Sequence, residues 1–298
     1  MAAGYAELLE ATIQHLEELK GRGVRFVLVS PEILSGLANA NARKPGFAGP
    51  KPEGGKLAPK SAPPTRTGAR PPSFELPVEK IATFAAPAFS PEAKAAAFAD
   101  LRQRAMACVK CSHLASSRKN VVFGVGDINA QLMFVGEAPG ADEDIQGEPF
   151  VGKAGQLLTK IIETMGLRRE SVYIANILKC RPDTPGQASG NRKPTPAEMQ
   201  TCIPFLHEQI DLIQPKVLVA LGGTAVEGLL GKTVGIMKLR GNWQTYRGIP
   251  LMPTYHPAYV LRNQALSEKR RVWEDMLMVM EELGMPISDK QRKYFTKP

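Results

Sequence analysis

Four cysteines constrain this chain more than any other feature. Cys108 and Cys111 stand together as C-V-K-C, and Cys180 and Cys202 follow singly, giving C-x2-C-x68-C-x21-C. A CxxC pair sets two ligands on one side of a metal. The long gaps mean that distant parts of one folded domain must converge to complete the set. Four thiolates without an obvious His partner suit an all-cysteine zinc site or an iron–sulfur cluster. Buried structural thiols or disulfides are the plain alternative. No secretory signal is evident, and disulfides are rare in a reducing compartment, so metal ligation is expected.

The chain has 298 residues, 43% hydrophobic and 22% charged, which suits one sizeable domain with appendages. No apolar run approaches the roughly 20 residues of a membrane span. The opening MAAGYAELLEATIQHLEEL holds four glutamates before Lys20, unlike a signal or transit peptide, and a cytoplasmic location without membrane contact is expected. The net charge of +9 is a moderate argument for a polyanionic partner and says nothing of fold.

Leu8, Leu9, Ile13, Leu16 and Leu19 recur at helical spacing, and residues 1–40 are expected to form a short helical segment. It is small for a domain, so it needs the main body or a protein partner to dock on. Residues 41–90 are rich in Pro, Gly and Ala. Within them, residues 41–73 carry Arg43, Lys44, Lys51, Lys56, Lys60, Arg66 and Arg70 against Glu53, and the stretch reads as a disordered basic linker. Residues 91–286 are expected to form the catalytic domain, and 287–298 a basic tail.

That domain should open with a helix capped by Ser90, with Pro91 at its first position. Strand-like QLMFVG, SVYIANILKC, KVLVAL and GIPLMPT then alternate with helix-like GKAGQLLTKIIETMG, PAEMQTCIPFLHEQIDLI, TAVEGLL and SEKRRVWEDMLMVMEEL. The alternation predicts a three-layer α/β/α sandwich with a mainly parallel central sheet. In such sheets, function gathers in loops beyond the carboxyl ends of the strands. Three such loops carry unusual residues: GEAPGADEDIQGEPFVGKAGQLL from Gly136, NILKCRP from Asn176, and YHPAYVLR from Tyr255. Each residue alone could be a turn or core residue. Their joint placement at strand ends, beside the cysteines, is what argues for a site.

These loops, with the four cysteines at this spacing, resemble the family 4 uracil-DNA glycosylases over about residues 96–284. The resemblance implies an α/β/α fold, a [4Fe–4S] cluster on Cys108, Cys111, Cys180 and Cys202, and removal of uracil from DNA by a monomer. It implies that Phe150 stacks on the extruded base and that the Asn176 amide reads its edge. It implies that His256 hydrogen-bonds uracil O2, with the turn around Glu137 and Ala138 adding backbone donors. Where relatives place a water-activating aspartate, this chain has Ala138. Glu143 is the first candidate to position the water, and Glu137 the second. Gly140 stands where a bulky tyrosine would exclude thymine. Lys153, Arg181, Arg192, Lys193 and Arg262 are candidate DNA contacts. The competing readings are a glycosylase of broader base range, a noncatalytic nucleic-acid-binding module, and an electron-transfer protein. The intact set of Phe150, Asn176 and His256 argues against a vestigial pocket.

Overall fold

The computed structural model describes residues 90–183, 191–231 and 235–296. The chain divides into two units, Met1–Glu79 and Lys80–Pro298, and the described residues belong to the second. The helix expected over 1–40 and the linker over 41–90 lie outside the described residues, Ser90 excepted.

In chain order the elements are α1 (Pro91–Met106), α2 (Ser112–Ser117), β1 (Val125–Gly126), β2 (Leu132–Gly136), α3 (Ala141–Gln146), α4 (Lys153–Thr164) and β3 (Tyr173–Asn176). There follow α5 (Pro196–Ile213), β4 (Val217–Leu221), α6 (Gly223–Leu230), α7 (Ile236–Leu239) and β5 (Gln244–Tyr246). The last are β6 (Ile249–Thr254), α8 (Pro257–Arg262), α9 (Leu266–Glu282) and α10 (Asp289–Arg292). The strands form one sheet in the order β1-β3-β2-β4-β6-β5. The four inner strands are parallel, while β1 and β5 run antiparallel at the edges.

Three layers follow from side-chain alternation along these strands. Met133, Val135, Ala175, Leu218 and Ala220 face one side, against Leu206 and Ile210 of α5 and Val226 of α6. Leu132, Phe134, Ile174, Val219 and Met252 face the other, against Leu158 and Ile162 of α4 and Trp273, Met276 and Met280 of α9. The sequence expectation of a mainly parallel sheet between helices therefore matches this arrangement.

The longer helices begin as their sequences dictate. Ser90 accepts the N–H of Ala93 at 3.2 Å and Pro91 opens α1. Thr195 and Glu198 form a capping box at the start of α5. The hairpin β5–β6 turns on Arg247 and Gly248, both at positive φ (51° and 82°), which gives it the twist two antiparallel strands need. Residues 287–296, part of the basic tail expected from sequence, fold back onto the body. Trp273 Nε1 donates to the Gln291 carbonyl at 2.6 Å, and Gln291 Nε2 donates to the Thr164 carbonyl at 2.9 Å. Tyr294 packs edge-on against Trp273 with ring centroids 5.6 Å apart.

Candidate active site and thiol cage

The inner strands β2 and β3 end level with each other, Gly136 paired with Asn176. The neighbouring β4 and β6 end at Leu221 and Thr254, and β6 runs on through Tyr255 to His256 at the start of α8. Parallel register thus carries the three loops to one edge of the sheet, as sequence reasoning expected.

Asn176 is 2% exposed, and its Oδ1 is the one buried side-chain oxygen or nitrogen without a hydrogen-bond partner among the described residues. Leaving a buried acceptor without a protein partner costs about 1–3 kcal/mol, which marks it as shaped for a ligand that donates. A Cβ on Gly136 would stand 2.3 Å from that oxygen and 2.6 Å from Phe150 Cζ. Only glycine leaves the space where the amide and the ring meet.

Phe150 holds a backbone φ of 54°, unusual for a bulky residue. Several contacts impose it. Glu143 Oε1 accepts the N–H groups of Val151 (3.0 Å) and Gly152 (3.1 Å), and Oε2 accepts that of Gly140 (3.0 Å). Arg169 donates to the carbonyl of Pro149 and, at 3.4 Å, to Thr159 Oγ1. Helix α4 packs against the Phe150 carbonyl so closely that a Cβ on Gly155 would stand 1.8 Å from its oxygen. The sequence reading saw Glu143 as a water-positioning residue. Its two oxygens bind three backbone N–H groups and brace the loop that carries Phe150.

His256 lies beside Phe150, ring centroids 5.6 Å apart and planes tilted by 31°. Its Nδ1 accepts the Ala258 N–H at 3.1 Å, so the neutral ring carries its proton on Nε2. Burial, followed by the charge of Arg262, holds its pKa down to about 4. The imidazole is therefore neutral at pH 7 and offers one N–H. Glu137 and Ala138 sit half-buried on the turn after β2, and the Glu137 carboxylate has no partner among the described residues. Gly140 caps α3, where a Cβ would meet Glu143 Oε2 at 2.5 Å, so this position has no room for a side chain without rearrangement.

The four cysteines come from α1's end, α2's start, the loop after β3 and α5. They line one small cavity of about 20 Å³ with Leu114, Arg118 and Leu178, and all four are free thiols. Among the described residues, no three His, Cys, Asp or Glu side chains are grouped to hold a metal ion. Burial pushes the Cys202 thiol up to about 11 and raises those of Cys111 and Cys180. Arg118 Nη1 donates to Cys180 Sγ and the Lys179 N–H to Cys202 Sγ, both at 3.2 Å. Donors aimed at sulfur suit thiolates that bond a cationic group.

Between cage and pocket lies Lys179, 2% exposed, which sequence reasoning passed over although a lysine in the apolar run NILKC was a signal. Burial lowers its pKa to about 8. The basic candidates divide. Lys153 and Arg262 are exposed and have no side-chain partner among the described residues. Arg181 Nε bonds Asn191 at 2.9 Å, and Lys193 pairs with Glu227 at 2.6 Å. Arg192 grips buried Glu198 with two nitrogens and also donates to the Asp183 carbonyl at 3.1 Å. Arg192, His113 and the Thr195 N–H together hold the Glu198 carboxyl far below its usual range.

A family model described as the uracil DNA glycosylase superfamily matches residues 123–277. A Type-4 uracil-DNA glycosylase of Thermotoga maritima is 46% identical over 179 residues, 58% of this chain and 88% of the relative. Others from Archaeoglobus fulgidus (42% over 178 residues, 57% and 86%) and Sulfurisphaera tokodaii (40% over 204 residues, 65% and 88%) are similar. With the layered fold, three loops at one sheet edge and the converging thiols already in view, the chain belongs to the uracil-DNA glycosylase superfamily and, within it, to the type-4 uracil-DNA glycosylases.

Proposed function

We propose that the chain extrudes uracil from DNA and hydrolyses its N-glycosidic bond, leaving an abasic site and so opening base excision repair. The observation that carries this reading is the buried, unpaired Asn176 Oδ1. Uracil presents N3–H to such an acceptor and O4 to the amide NH2, whereas cytosine presents the reverse pattern. A site built to pair with one edge rejects the other, because mispaired groups would be buried. Phe150 offers a flat face to the base once it leaves the stack. As the bond breaks, negative charge grows on the departing uracil. The His256 Nε2–H, on a ring kept neutral, supplies a donor for O2 without the energetic cost of charge migration. Glu143 holds the Phe150 loop, and Glu137, with its unpartnered carboxylate, positions the attacking water. Lys153 and Arg262 are assigned to phosphates. Arg192 and Lys193 are assigned to the fold.

Cys108, Cys111, Cys180 and Cys202 suit a [4Fe–4S] cluster by their chemistry, four thiols from three stretches of chain lining one cavity without another ligating side chain. When bound, the cluster would cross-link those segments, and hydrolysis asks no electrons of it. Iron and acid-labile sulfide in the purified protein, with broad visible absorption, are expected, and stoichiometric zinc alone would remove the assignment. The activity itself is tested with a uracil-containing oligonucleotide followed by alkali. Strand scission at the uracil position is expected, none is expected with cytosine there, and an intact uracil strand would refute the reading.

A further inference from the structure

Lys179 is a buried cation that the chemistry above does not use. Its Nζ donates to the Asn176 backbone carbonyl at 2.9 Å and to Gln209 Oε1 at 2.6 Å, and lies 5.9 Å from the centre of the Phe123 ring. Its own N–H donates to Cys202 Sγ and its carbonyl accepts the Val122 N–H at 2.8 Å. Cys202 and Gln209 both lie on α5. Lys179 is thus fastened to one helix at backbone and at ammonium. Gln209 is fastened in turn, donating to the Phe123 carbonyl at 2.9 Å and to Tyr173 Oη at 3.0 Å.

The carbonyl that Lys179 holds belongs to the base-reading residue. The ladder stops just past this residue: the Ile177 N–H still donates to the Gly136 carbonyl, as a parallel pair requires, but the next N–H, that of Leu178, turns to the Glu137 carbonyl. The Asn176 carbonyl would be a buried acceptor at the end of its strand without this ammonium. Fixing it fixes the peptide plane from which the Asn176 side chain projects. A charge removed from water is a costly choice unless its geometry matters.

We infer that Lys179 is a positioning residue for uracil recognition: it sets the Asn176 amide against the base by gripping the Asn176 carbonyl from α5, the helix that also carries Cys202. The inference rests on the reading of Asn176 given above. It states that Lys179 acts through Asn176 and not through general stability.

A double-mutant cycle tests this by single-turnover excision from a uracil oligonucleotide, with melting temperature and affinity for abasic DNA measured on every variant. Lys179→Met should slow excision by roughly tenfold or more, the scale of a small misplacement of a binding group, with abasic-DNA affinity nearly unchanged. In an Asn176→Ala background the same change should cost less than about twofold, because the group it positions is gone. Gln209→Met, which removes one anchor of the ammonium and leaves the carbonyl grip, should lower the melting temperature and slow excision clearly less than Lys179→Met does. Equal losses from Lys179→Met in both backgrounds would overturn the inference. So would Gln209→Met slowing excision as much as Lys179→Met. Should Lys179→Met not fold, Lys179→Gln, which keeps a shorter donor, is carried through the same cycle under the same criteria. An inert wild type would refute the glycosylase reading itself. An active wild type with additive losses would refute only the role of Lys179.

Discussion

At the scale of single residues, His256 makes the sharpest prediction. Its N–H is needed most when charge develops on the leaving base, so His256→Ala should reduce single-turnover excision by roughly 10²–10³-fold, the scale of one such donor. Because its pKa sits at about 4, held there first by burial, excision by the wild type should show no inflection near the usual histidine value. The linkage sign is that of a depressed pKa. The neutral ring's contribution to stability is complete above about pH 6.5 and is lost as pH falls toward about 4. Melting curves of wild type and His256→Ala across that window check this, and parallel pH profiles would contradict it. Asn176→Asp should fail differently, since it exchanges the donor facing uracil O4 for a second acceptor: uracil excision should fall, and discrimination against cytosine should narrow. The sequence displayed Phe150, Asn176 and His256 because each sits in a distinctive loop. Lys179 stood out only as a lone lysine in an apolar run, and its partners on α5 come into reach only once strand and helix pack. Glu143 was visible, but its three N–H donors from two turns were not, since only folding brings them together.

At the scale of elements, the loop between α3 and α4 behaves as a brace around a strained residue. Positive φ at Phe150 costs of order 1–3 kcal/mol and persists only where neighbours impose it. Glu143→Gln replaces one accepting oxygen by an NH2 group that faces an N–H, so the brace should loosen. Melting temperature and excision rate should fall together in that variant. A rate loss at unchanged melting temperature would instead return Glu143 to direct work on the water. The long elements were legible from the alternation of strand-like and helix-like runs and from Ser90 as a cap with Pro91 at the first helical position. The short ones were not. Strands β1 and β5 span two and three residues, and helices α3 and α7 six and four, too few for a period to register.

For the whole molecule, the alternation of strands and helices announced the layered fold, but composition misled at the C-terminus. Residues 287–298 carry several lysines and arginines and look like a solvated tail. Ile287 and Tyr294 nevertheless pack on the α4–α9 side of the sheet, and the Arg270 guanidinium caps the Arg292 and Tyr294 carbonyls, both at 2.8 Å. Charge content is a poor guide where a few apolar side chains at the right spacing suffice to dock a segment. Deleting residues 287–298 should therefore lower the melting temperature by several degrees, the scale expected for losing about 1–2 kcal/mol from a domain of this size. An unchanged melting curve would make the segment dispensable to the fold.

The buried acceptor on Asn176 has one more consequence. It waits in place before any DNA arrives, and a detached uracil satisfies it as well as one still attached to the strand. The enzyme should accordingly suffer product inhibition. Free uracil at millimolar concentration should slow turnover and leave abasic DNA and loose base competing for the same protein, while free cytosine should leave turnover untouched. Such an enzyme would run fastest where the liberated pyrimidine is swiftly carried off, so that its throughput is set in part by salvage of the base it releases.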